Sequence, residues 1–238
     1  MKKHLSVLGL WARLKLGRTA ALLVLMAVFE AALFGGRLLR GMGEPPMLEN
    51  AMWGVPIISA VSFLAVFAML CADPGEKGYT LGRLQISEEI SVLWSAACNG
   101  VCLLAFWAAQ TAVALALCGW YAASLPPEYR SGQTVFLACY RVEFLHGLLP
   151  LADWAVYLRN LILAAALGFG AAVQPYQHRR SGKLPLLPAA LAAATVVFFP
   201  QSVGNVQDNI TLLLLALLVL VRGGWYLINS WGGTLDEE

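Results

Sequence analysis

Six apolar runs, each close to the width of a bilayer, recur along this chain at 19–36, 52–72, 90–118, 155–173, 184–199 and 210–228. About 20 helical residues cross roughly 30 Å of hydrocarbon, so such runs leave a chain little choice of solvent. Of the 238 residues, 59% are hydrophobic and 13% charged, about half the charge of an ordinary soluble domain. That excludes a cytosolic enzyme, a secreted disulfide scaffold and a disordered chain. The expected fold is all-α: a polytopic membrane helical bundle of six transmembrane helices. The third run has 29 residues, about 43 Å of helix. It must project from the membrane or break, and Asn99-Gly100 is the expected weak point. The fifth run opens with Pro185 and Pro188 and is the shortest.

Basic residues orient the bundle. With the N-terminus in the cytoplasm, the inner segments hold eleven: Lys2, Lys3, Arg13, Lys15, Arg18, Lys77, Arg83, Arg179, Arg180, Lys183 and Arg222. Five fall outside: Arg37, Arg40, Arg130, Arg141 and Arg159. The excess of Lys and Arg marks the cytoplasmic side, so both termini are expected there. The region 133–150 is apolar enough to suggest a seventh span. Crossing there would put Arg179 and Arg180 outside, against that rule. Read as a helix, it sets Phe136, Leu137, Tyr140, Phe144 and Leu148 on one stripe, with Glu143 and His146 opposite. An outer amphipathic helix between spans three and four is expected. Residues 1–18 mix Leu5, Leu8, Trp11 and Leu14 with five cations, the pattern of a cytoplasmic amphipathic helix held on anionic headgroups.

Three groups of residues are candidates for chemistry. In the third run Glu88, Ser91, Ser95, Asn99, Cys102, Phe106 and Gln110 fall within about a 100° sector. A stripe of this kind faces protein or water, either as interhelical packing or as a path or subunit interface. Glu30 is the one acid deep inside an apolar run, and it is protonated, paired or beside a wet cavity. Glu143 and His146 stand three apart with Arg141 beside them. That is half of a metal or acid-base site, or a surface hydrogen-bonded pair. No phosphate-binding loop, His-Glu-x-x-His or Gly-x-Ser-x-Gly occurs, so no enzyme activity, cofactor or metal is expected. Ala164, Gly168 and Ala172 form a small-residue ridge that suits tight packing.

The loop between runs two and three reads Glu76-Lys77-Gly78-Tyr79-Thr80-Leu81-Gly82-Arg83-Leu84-Gln85-Ile86-Ser87. With the basic N-terminal helix and six spans, it resembles the permease subunits of ABC exporters of the drug, polysaccharide and bacteriocin-immunity class. In that family the segment between spans two and three couples to the ATPase subunit, and Glu76, Gly78, Thr80, Leu81 and Leu84 are the matching positions. The family places its outer re-entrant helices between spans five and six, whereas here the outer segment lies between spans three and four. The resemblance implies a non-catalytic subunit in a bacterial plasma membrane, partnered by a cytoplasmic ATPase and a second membrane subunit, with no nucleic acid. An alternative is a six-span substrate-capture subunit like those of energy-coupling-factor importers. In that reading 133–150 is a lid, with Glu143, His146, Asp153 and Arg159 around a ligand. A membrane protein without transport activity is a third possibility.

Overall fold

A computed structural model describes residues 2–40, 47–72, 86–129, 133–149, 153–182, 184–199 and 206–232. Its regular structure among these is helical throughout. In chain order the helices are α1 (Lys2–Arg40), α2 (Leu48–Met52), α3 (Val55–Cys71), α4 (Glu88–Ser124), α5 (Thr134–Arg141), α6 (Glu143–Leu148), α7 (Trp154–Ser181), α8 (Leu187–Phe198) and α9 (Val206–Gly232). Five stretches are long and apolar enough to cross a membrane: Ser6–Arg40, Leu48–Cys71, Glu88–Ser124, Trp154–Ser181 and Val206–Ser230. The protein is a multi-span integral membrane protein built as a helical bundle.

Local chemistry sets the boundaries. Ser87 caps α4 by accepting from the Ile90 amide, with Glu88 and Glu89 in the first turn, where carboxylates favour the helix N-terminus. Asp153 caps α7 in the same way through the Ala155 amide. Between α2 and α3 the chain turns at Gly54, whose φ of 91° is a conformation that side chains disfavour.

Two boundaries differ from the sequence expectation. Residues 1–18 do not form a separate interfacial helix; α1 runs unbroken for 39 residues. Val7, Trp11, Lys15 and Thr19 are buried at four-residue steps, and Met26, Glu30 and Phe34 continue that face into the first span. The fifth run supplies 12 helical residues rather than a full-length span. Its helix begins only after Pro185, with Pro188 in the first turn, where a helix tolerates proline. The third run does not break: α4 is 37 residues of continuous helix through Asn99-Gly100, about 55 Å and longer than the roughly 30 Å hydrocarbon core of a bilayer.

Paired side chains fix the directions of the helices. Trp11 meets Ser91, Lys15 meets Ser95 and Glu30 meets Gln110. The partners are each 80 residues apart, so α1 and α4 run parallel in constant register. Against α4, α7 runs antiparallel: Glu88 pairs with Arg179, Glu89 with Tyr176, and Asn99 with the Gly168 carbonyl. Next to α7, α9 runs parallel, because Arg159 bonds Asn209 and Tyr176 lies on Ser230. Between two parallel neighbours the chain must travel back the length of the bundle, and α8 carries it.

One end of the bundle, hereafter the basic end, gathers the starts of α1 and α4 and the close of α7. Arg179 and Arg180 stand there against Glu88 and Glu89. The opposite end is capped by α2 and α6, which pack Met52, Phe144, Leu145 and Leu148 against Phe34 and Leu117.

The backbones of α4 and α7 approach closely at two glycines. A Cβ placed on Gly168 would lie 2.6 Å from the Gly100 amide nitrogen and 2.9 Å from its Cα. Gly100, the expected weak point, is therefore the floor on which α7 rests. Replacing Gly168 by Ala is expected to cost about 1–3 kcal/mol, the range for overpacking. Gly36→Ala, with nothing within 4 Å of the added methyl, is expected to be neutral or mildly stabilising. Reversible unfolding in mixed micelles measures both.

Candidate functional site at the α1–α4–α7 contact

The α4 stripe is occupied by side chains of two neighbours. Lys15 is 7% exposed. Its Nζ donates to Ser95 Oγ at 2.8 Å and Asn99 Oδ1 at 2.5 Å, and lies 4.6 Å from the centre of the Trp11 ring. Asn99 is fully buried and donates its Nδ2 to the Gly168 carbonyl at 3.0 Å. One amide thus joins three helices: its oxygen takes α1 and its nitrogen takes α7. Trp11 Nε1 reaches Ser91 Oγ at 3.4 Å, and Thr19 Oγ1 returns to the Lys15 carbonyl. Among the described residues no carboxylate pairs with Lys15. Cys102 is buried between these groups and Phe106.

Further along the same face, Glu30 and Gln110 are both fully buried. Gln110 Nε2 donates to both carboxyl oxygens of Glu30, at 2.9 and 3.0 Å, while Gln110 Oε1 has no hydrogen-bond partner. The partner of Glu30 is therefore an amide on α4. Arg37, further along α1, turns to the Asn50 carbonyl and the Trp53 ring.

At the basic end the Tyr176 hydroxyl donates to Glu89 at 2.9 Å and lies beside Ser230 Oγ. Arg180 stacks over the Tyr176 ring. These contacts close α4, α7 and α9 below the Asn99 contact. Val7, Trp11 and Cys98 pack there with Ile86 and Trp94.

The outer segment is divided. Val142 leaves helical geometry, with φ −89° and ψ 109°, and separates α5 from α6. Of the expected stripe, Phe144 and Leu148 are buried, whereas Phe136, Leu137 and Tyr140 are exposed. Arg141 and Glu143 are exposed as well, and His146 sits edge-on to Tyr140. Glu143, His146, Asp153 and Arg159 are not brought to one point. Asp153 is exposed and caps α7; it acts on the buried Arg159 by charge alone, without a salt bridge. Glu76, Gly78, Thr80, Leu81 and Leu84 lie outside the described residues.

Lys15 and Arg159 are the two cations, among the described residues, that the sequence assigns to headgroup and outer positions and that the structure buries. For Lys15 a signal existed: Trp11, Lys15 and Thr19 step by four, in phase with Ser91, Ser95 and Asn99 across the interface. No such signal marks Arg159, whose partner Asn209 is 50 residues away.

No family model, curated protein or solved structure matches the chain. Its fold and site therefore rest on its own residues.

The Asn99 contact has a sharp energetic asymmetry. Asn99→Leu leaves a buried lysine and a buried carbonyl short of partners, and is expected to cost about 2–4 kcal/mol. Lys15→Met removes the buried cation but leaves Asn99 Oδ1 without its donor, and is expected to cost about 1–2 kcal/mol, less than Asn99→Leu. A larger loss for Lys15→Met than for Asn99→Leu in the same unfolding assay would contradict this balance.

Proposed function

We propose that the chain is the membrane-spanning subunit of a transporter driven by a separate ATPase, which docks on the 76–87 segment. The basic end is then cytoplasmic, as the eleven-to-five distribution of Lys and Arg favours, and the membrane is a bacterial plasma membrane. In this reading α8 is the sixth crossing, a short one completed by its flanks, since a short span is accommodated by local thinning of the bilayer.

One observation carries the reading. The segment with the Gly-Tyr-Thr-Leu pattern leads directly into Ser87, the cap of α4. The next three turns of that helix hold α1 through Ser91 and Ser95, and both α1 and α7 through Asn99. A push on 76–87 enters a helix bonded to both neighbours, so the three move as one body rather than sliding past each other. Such rocking is what alternating access requires of a bundle, and it calls for no chemistry from the chain itself. A second membrane subunit completes the path.

The test is purification from the native membrane in mild detergent. A stoichiometric ATPase is expected with the wild-type chain and with Glu128→Lys at the opposite end. It is expected to be lost with Leu84→Asp, which puts a charge in the apolar docking surface. A clean homo-oligomer without ATPase would overturn the proposal.

A further inference from the structure

A partly open cleft lies between α3, α4, α7 and α8, roofed by α6. Its walls are apolar, with Phe63, Phe106, Trp107, Leu163, Leu167 and Phe199 contributing most of the surface. The mouth lies between α3 and α8, which touch only sparsely. Ile57 and Val61 on α3 and Val197 on α8 are exposed beside it. In a membrane protein such flanks face lipid, so the cleft opens sideways into the bilayer.

Two observations give the cleft a polar end. Ser59 lines it, is 6% exposed, and its hydroxyl makes no hydrogen bond among the described residues. Asn160 also lines it, and its oxygen is taken by Arg159 at 3.1 Å from Nε and 2.8 Å from Nη2. That leaves Asn160 Nδ2 with one long contact, 3.4 Å to the Gly147 carbonyl. Arg159 itself is 4% exposed. It bonds Asn209 and stacks 5.5 Å from the Phe199 ring, and no carboxylate pairs with it among the described residues. A guanidinium thus stands one layer behind the cleft wall, held by two residues that form that wall. The charge it feels from the described carboxylates is that of the exposed Asp153, which makes no salt bridge to it, and a buried cation acts over a longer range than it would in water. Asn160 Nδ2 keeps a second N–H beyond its long contact to Gly147, and the Ser59 hydroxyl has no partner among the described residues.

We propose that this cleft binds a single-chain anionic amphiphile drawn laterally from the bilayer between α3 and α8. Its chain lies against Phe63, Phe106, Leu163 and Leu167. Its headgroup accepts from Asn160 and Ser59 and brings a negative charge to the Arg159 side of the cleft, in addition to that of Asp153. The site does not depend on the ATPase reading and exists whether or not the protein transports anything.

The experiment uses the full chain in nanodiscs of zwitterionic lipid. The probes are a diazirine-bearing fatty acid and the fatty alcohol of the same chain length, with labelled residues mapped by mass spectrometry. The acid is expected to label the cleft faces of α3 and α8 about tenfold more than the alcohol, the worth of one charge-assisted hydrogen bond. Val196→Trp at the mouth is expected to abolish labelling there by both probes while labelling of exposed α9 persists, which shows an intact fold. Arg159→Gln is expected to lower acid labelling to the alcohol's level and leave the alcohol unchanged; if that variant does not fold, Asn160→Ala gives the same readout. Equal labelling by the two probes, labelling confined to the exposed Leu214, Leu218 and Trp225 of α9, or acid labelling indifferent to Val196→Trp would each overturn the proposal.

Discussion

The amide of Asn99 is the interaction on which the bundle depends. It sits where no water competes, accepts from Lys15 on one side and donates to the backbone of Gly168 on the other. Without Gly100 and Gly168 in contact, α7 could not come near enough to present that carbonyl. Without the buried start of α1, the amide oxygen would be an orphan in a low-dielectric core, at a cost of several kcal/mol in hydrocarbon. Glycine packing and polar pairing are thus one device: the small residues allow the approach, and the polar groups make a single register preferable to its neighbours.

The same logic repeats with weaker partners along α4. Glu30 meets Gln110 near the opposite end, and Glu89 meets Tyr176 at the basic end. These contacts share helices, so a displacement of α4 is felt by α1, α7 and α9 together. Helix association in a bilayer lacks the driving force that water gives a soluble core. Specific polar contacts at fixed positions therefore carry more of the task of choosing one arrangement. The outer layer of α2 and α6 relies on ordinary apolar packing instead.

Much of this was legible in the residues. The apolar runs mark the helices, and the Ala164-Gly168-Ala172 ridge marks a face for tight packing; that the third run stays helical through Asn99-Gly100, the expected weak point, was not legible. The polar stripe of α4 was visible as a stripe, but its occupants were not. Lys15, near the start of an apolar run, has the pattern of a headgroup anchor, and only its four-residue phase with Trp11 and Thr19 distinguishes a buried face. The break at Val142 has no local marker, neither proline nor glycine, and follows from α6 docking under Phe199 while α5 leaves Phe136 and Tyr140 outside. Arg159 and Asn209 meet only because α8 returns the chain and sets α9 parallel to α7, a consequence of topology that no short window contains.

The central claim is that the first eighteen residues belong to the bundle core and not to the membrane surface. Cysteine pairs test this most directly, in a chain whose native cysteines are replaced by alanine. Trp11→Cys with Ser91→Cys, and Glu30→Cys with Gln110→Cys, are expected to cross-link under mild oxidation with similar efficiency, because one register holds along the whole α1–α4 interface. Cross-linking of the second pair with none of the first would mean that α1 leaves the bundle before Lys15, and the Asn99 contact with it.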